Sequence, residues 1–185
     1  MIDDVLKELE DGIQKSIEAL QRELAKVRTG RAHPSILDSV RVDYYGTPTP
    51  INQMAHVGVP DASLLTVKPF DKTQANAIDK AIRDANLGLN PQVDGDLIRI
   101  PIPPLTEERR KEMVKLAKKN SEEAKIAIRH HRREAMDMLA DATKEGEISE
   151  DEEARAKKKV EDVVGKQIKT VDKIVDDREA QIMEV

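Results

Sequence analysis

From Arg129 to Arg133 the chain reads Arg-His-His-Arg-Arg, and here its side chains offer the most chemistry. Adjacent histidines invite a metal, but neighbours on a helix point about 100° apart. No HxxxH or HxxEH spacing accompanies them, so no metal site is expected. His131 falls on the apolar side of its helix and reads as a packed interhelical residue. Covalent catalysis lacks its parts: there is no cysteine, no GxSxG and no glycine-rich phosphate loop. The carboxylates are many but read as solvated helix faces, so the chain is not expected to be an enzyme. What remains is anion recognition, for which arginine's planar fork is well shaped.

The cations are ordered around the helix axis. With Arg129 at zero and about 100° per residue, Lys111 falls near 0°, Lys118 near −20° and Lys125 near −40°. On the same scale Arg132 falls at about −60°, and Lys115 and Arg133 at about +40°. Met113, Asn120, Ala124, Ala127, His131, Ala135 and Met138 gather on the other side. Between Arg109 and Arg133 there are ten bases and three acids, too few to lace a solvated face with i,i+4 pairs. A negatively charged partner accounts better for such a stripe. No aromatic residue stands beside it, so contacts to phosphate and to shape are expected rather than base stacking.

These residues need a long rod to carry them. All nine prolines lie between Pro34 and Pro104, as do all three aromatics, Tyr44, Tyr45 and Phe70. Proline is expelled from helix interiors, so the flanks read as helical and the middle as a β-containing insert. The first helix is expected over about residues 3–28, with a seam of Ile2, Leu6, Leu9, Ile13, Ile17, Leu20, Leu24 and Val27. The second follows Thr106, a plausible N-cap, and stops before Gly146. The third opens on Ser149-Glu150-Asp151-Glu152, a capping box, and its seam includes Val160, Val164, Ile168, Val171, Val175 and Ile182. Three narrow seams make an elongated three-helix bundle from residues 1–30 and 105–185, with residues 31–104 as an inserted domain.

In the insert, residues 40–44, 51–59, 64–70 and 97–102 read as strands, about 73–86 as a helix, and 45–50 as a break. The fold class is α+β, the insert being a small β/α/β sandwich around an aliphatic core. The junctions, Thr29-Gly30-Arg31-Ala32-His33-Pro34 and Pro101-Ile102-Pro103-Pro104-Leu105, are short paired linkers. They can form a hinge or merely mark boundaries.

Charged residues are 36% of the chain and hydrophobic ones 38%, which suits long helices with narrow seams rather than one thick core. The net charge of −5 disfavours nonspecific polyanion binding by the whole molecule. It is unevenly spread: residues 106–133 carry +5 and residues 134–153 carry −8. No apolar run is long enough for a membrane span, and the N-terminus does not read as a signal peptide. The absence of cysteine is compatible with the cytoplasm.

Several stretches resemble the ribosome recycling factor family. They are Val27-Arg28-Thr29-Gly30-Arg31-Ala32 with Pro34, Tyr44-Tyr45-Gly46-Thr47-Pro48-Thr49-Pro50, residues 84–91 (DANLGLNP), residues 103–111 (PPLTEERRK) and Ile148-Ser149-Glu150-Asp151. The resemblance spans essentially the whole chain. It implies an L-shaped, two-domain, monomeric cytoplasmic translation factor whose small domain sits on two hinge segments, with Gly30, Arg31, Pro103 and Pro104 in them. It implies that, with elongation factor G and GTP, the factor splits the post-termination ribosome and frees mRNA and tRNA. Its partners would be the 50S subunit with its 23S rRNA, and elongation factor G. It would carry no cofactor of its own, GTP being the partner's. The family's rRNA-contacting arginines correspond to Arg129, Arg132 and Arg133, with Arg28, Arg31 and Arg110 as further candidates near the elbow; Lys118 and Lys125 extend the stripe. The sequence departs from the family pattern at His130, where asparagine is common, and lacks the usual Thr-Asp pair near Gly165 to Ile168. Neither departure removes a cation. A helical scaffold or chaperone cofactor, using the apolar seams for partner helices, is the alternative.

Overall fold

Proline-free stretches fold as long helices and the proline-bearing middle as short strands. The computed structural model describes residues 1–184. Along the chain come α1 (Ile2–Ala25), β1 (Arg41–Tyr44), β2 (Thr47–Pro50), the single turn α2 (Ile51–Met54), β3 (Ala55–Asp61) and β4 (Leu64–Pro69). They are followed by α3 (Ala75–Asp84), β5 (Gln92–Asp94), β6 (Leu97–Pro101), α4 (Glu107–Lys144) and α5 (Glu150–Met183). The chain forms two compact units, one of Met1–Thr29 with the chain from Glu107 onward, the other of Gly30–Thr106.

The larger unit is a bundle of α1, α4 and α5 around one aliphatic core. α1 contributes Val5, Leu9, Ile13, Ile17, Leu20 and Leu24. The expected seam includes Ile2 and Leu6, but both are only partly buried against the core, and Val5, outside that seam, is buried. A straight helix of 3.6 residues per turn drifts off a 3.5-residue repeat, and this moves the buried edge at the N-terminal end. α4 buries mainly small side chains (Ala117, Ala124, Ala135, Ala142) around Ile128 and Leu139, which lets the neighbouring helices approach closely. Each fully buried Ile or Leu contributes about 1.5–3 kcal/mol, and the helices rely on this mutual burial.

The turn between α4 and α5 is written in its residues. Gly146 takes φ +76°, and Glu147 N–H donates to the Ala142 carbonyl at 2.9 Å while Gly146 N–H donates to that of Thr143 at 3.1 Å, a Schellman stop. Ser149 Oγ then accepts from Glu152 N–H at 3.2 Å, and Glu152 Oε2 accepts from Ser149 N–H at 2.8 Å. The Ser149 hydrogen bonds hold the Glu152 carboxyl below its ordinary pKa. α1 stops at Ala25, short of the expected residue 28, and Arg178 of α5 reaches its end, donating from Nη2 to the Val27 carbonyl at 2.6 Å.

The smaller unit differs in detail from the simple β/α/β sandwich. β1 and β2 form a two-stranded hairpin, and β3, β4, β6 and β5 lie in that order in a second sheet, every pairing antiparallel. The expected break at 45–50 is mostly strand: only Tyr45 and Gly46, at φ +49° and +85°, make the turn. Pro48 and Pro50 sit in β2, tolerated because it is an edge strand. The expected strand 51–59 begins as the α2 turn and becomes strand at Ala55, and the three-residue β5 was not anticipated. Val42, Leu65, Val67, Ile78, Ile98 and Ile100 are at 0% exposure, so the core is aliphatic, while Tyr45 and Phe70 are exposed. Among the described residues no helix is long and apolar enough to cross a membrane.

Candidate nucleic-acid interface

α4 presents the cationic stripe because its opposite side is committed to the core. Glu107 and Glu108 occupy its first turn and Lys144 its last, matching the helix dipole. Arg129 and Arg133 are exposed, as are Lys111, Lys115 and Lys118. Among the described residues Lys115, Lys118, Arg129 and Arg133 form no ion pair, whereas Lys111 Nζ lies 3.6 Å from Glu107 Oε1.

One flank of the stripe is neutralised from within the bundle, contrary to the count of acids along α4 alone. Arg132 is held by Glu161 of α5, Nε donating to Oε1 at 2.9 Å and Nη2 donating to the same oxygen. The Arg132 hydrogen bonds hold the Glu161 carboxyl below its ordinary pKa, and Glu161 raises that of Arg132 in turn. Lys125 Nζ lies 2.7 Å from Asp172 Oδ1 and is only 18% exposed. The compensating carboxylates stand on the next helix, out of reach of any i,i+4 rule. The stripe therefore has a free outer edge, Arg129 and Arg133 with Lys115 and Lys118, and an inner edge already paired with α5.

His131 Nε2 lies 3.3 Å from Ser16 Oγ of α1 and its Nδ1 3.3 Å from Glu134 Oε2. It packs so tightly over α1 that a Cβ on Gly12 would stand 2.8 Å from Nδ1. His130 Nε2 lies 3.2 Å from the other oxygen of Glu134. No cluster of three or more metal-ligating side chains occurs among the described residues.

The candidates near the junction fare differently. Arg28 and Arg31 are exposed. Arg110 is half-buried, with an Nε that is out of water and without a hydrogen bond, so part of its guanidinium faces protein rather than solvent. In the small unit Gly30 takes φ +75°, and a Cβ there would meet Leu105 Cγ at 3.3 Å, so the two linker segments lie side by side. Pro103, Pro104 and Arg31 are exposed. Sequence alone singles out neither Glu161 and Asp172 nor the anchoring Arg178; packing of α5 against α4 reveals the first two, and its contact with the end of α1 reveals Arg178.

Comparison with known proteins is unambiguous. Residues 20–183 match the family model described as Ribosome recycling factor. The ribosome-recycling factor of Sorangium cellulosum (strain So ce56) is 61% identical over 185 residues, covering 100% of both chains. That of Brevibacillus brevis is 51% identical and covers 98% of each. A solution structure of the ribosome recycling factor matches 100% of this chain and 98% of its own, with TM-score 0.77 and 38% identity. A further structure, described as models for the T. thermophilus ribosome recycling factor and the E. coli elongation factor G bound to the E. coli post-termination complex, matches at TM-score 0.67 and 42% identity over 100% of both chains.

Proposed function

The chain belongs to the ribosome recycling factor family, and on that premise we propose that it disassembles the post-termination ribosome together with elongation factor G and GTP. It splits the subunits and releases mRNA and tRNA in the cytoplasm, acting as a monomer. Its own contribution is binding and leverage; GTP hydrolysis belongs to the partner, and the chain takes no cofactor. The outer edge of α4 docks on 23S rRNA of the 50S subunit through phosphate contacts, which are individually modest and weakened by salt. Gly30, Arg31, Pro103 and Pro104 serve as the hinge on which elongation factor G moves the small unit.

The observation that carries the RNA contact is the pair Arg129 and Arg133, exposed and without an internal ion-pair partner among the described residues. Folding leaves them uncompensated while acids of α5 are spent on their neighbours Arg132 and Lys125. The alternative, a helical scaffold, needs an apolar seam left over for a partner helix, and the seams of all three helices meet in one core. Light scattering of post-termination ribosomes tests the function: the full chain with elongation factor G and GTP lowers the signal as subunits separate. An unchanged signal would refute it.

A further inference from the structure

α5 carries a row of cations that acids of the same helix hide in its net charge. With Lys166 at zero and about 100° per residue, Arg155 and Lys173 fall near −20°, Lys159 near +20° and Lys169 near −60°. The buried Val160, Val164, Val171 and Val175 lie on the far side of the helix. All five cations are exposed, and among the described residues none forms an ion pair; Arg155 donates only to the backbone carbonyl of Asp151, at 3.3 Å. The neighbouring acids are largely turned elsewhere, Glu161 to Arg132, Asp172 to Lys125 and Glu153 to Lys157. Asp162 interrupts the row and Asp177 ends it. The row runs about 27 Å along the axis.

A second observation sits beside it. Gly165 lies in the middle of a 34-residue helix, exposed, and a Cβ there would meet nothing within 4 Å. Glycine at such a site destabilises the helix relative to alanine, and no packing inside the chain requires it. By helical geometry Gly165 stands about 100° from Lys166, on the side turned toward Glu161. The Arg132–Glu161 and Lys125–Asp172 pairs bracket it along the groove, so it lies on the flank facing the Arg129 region of α4. The missing side chain lowers the groove floor between two cationic edges.

We propose that α5 forms a second RNA-contacting edge, in which Arg155, Lys159, Lys166, Lys169 and Lys173 take phosphates and Gly165 admits the closest approach of the RNA backbone. Unpaired cations on one helix face, with no aromatic or apolar side chain among them, fit a phosphate chain better than a protein surface, which would bring its own apolar centre. The inference rests on the ribosome-binding reading, but it concerns a different helix and can fail separately.

The test measures affinity for isolated 50S subunits, and for protein-free 23S rRNA, across a salt series. Three variants are compared with the parent: Lys159→Gln with Lys166→Gln, Lys169→Gln and Lys173→Gln; Arg129→Gln with Arg133→Gln; and Gly165→Ala. The α5 variant is expected to bind both targets at least tenfold more weakly at moderate salt. Each lost phosphate contact also flattens the log–log salt slope by about 0.9. Parental affinity and slope in that variant would overturn the proposal, and a simultaneous loss in the α4 variant would show that the ribosome-binding reading survives. A loss on 50S subunits with no loss on naked 23S rRNA would assign the row to an acidic ribosomal protein and overturn the RNA assignment. Gly165→Ala is expected to raise the melting temperature yet weaken binding several-fold; a raised melting temperature with unchanged binding would refute the close approach. Circular dichroism confirms that each variant remains folded.

Discussion

The two units solve the problem of a small core in opposite ways. The bundle spreads its apolar residues along three seams, fills α4 with alanines, and leaves most of its surface to charges. The small unit concentrates valine and isoleucine between two antiparallel sheets and one helix, and carries every proline and aromatic of the chain. The first design gives long helices with a largely charged exterior. The second gives a self-contained body with its own core, joined to the bundle by two short segments. Separate cores make the units separately breakable.

The largest expected effects follow from that separation. Leu139→Ala in the bundle and Ile98→Ala in the small unit, each replacing a side chain at 0% exposure, should cost about 2–5 kcal/mol. Native-state hydrogen exchange should show each loss of protection confined to the unit that carries the change; a spread over both would mean that the cores are coupled. Gly30→Val comes next. A β-branched residue at φ +75° with its Cβ against Leu105 should cost about 1–3 kcal/mol, read by urea midpoint, and should slow subunit splitting more than it weakens 50S binding. Equal effects on both would remove the linker from the mechanism.

The contrast between the edges of α4 predicts smaller changes. Replacing Arg129 and Arg133 by Gln should weaken 50S binding by about tenfold, some 1.4 kcal/mol, and leave the melt within about 0.5 kcal/mol of the parent. Glu161→Gln should strengthen RNA binding by freeing Arg132, at a stability cost of at most about 1 kcal/mol because both side chains are roughly half exposed. Its pH dependence has a definite sign. The Glu161 pKa is lowered on folding, so the pair's contribution is complete above the ordinary carboxylate value and disappears as pH falls through the lowered one. The stability gap between parent and variant should therefore shrink from about pH 6 to about pH 3, which urea titrations at the two pH values would show.

The rod was legible because its signals are local and periodic: the seams, Gly146 and the Ser149 capping box all act within a turn or two of helix. The small unit was less so, since Thr47–Pro50 pairs with Arg41–Tyr44 despite its prolines, and Ile51–Met54 turns before becoming strand at Ala55. Strands this short are decided by partners rather than by their own residues. At the candidate interface the cations of α4 were visible as a stripe. Which of them stay free was not, because that depends on Glu161 and Asp172 across the α4–α5 groove, and the α5 row was masked by acids that face other ways. Helical phase shows where a charge points, while folding decides what it meets.

The chain contains no cysteine, which permits the most direct test of α4 docking. Ile126 is 61% exposed beside Arg129, and Ile126→Cys can carry a tethered Fe(II)-EDTA for local cleavage of RNA in the post-termination complex; Glu147→Cys, in the acidic turn after α4, serves as the control. Strong cuts in 23S rRNA from position 126 and few from position 147 are the predicted result. Cuts from 147 with none from 126 would show that the outer edge of α4 faces away from the RNA.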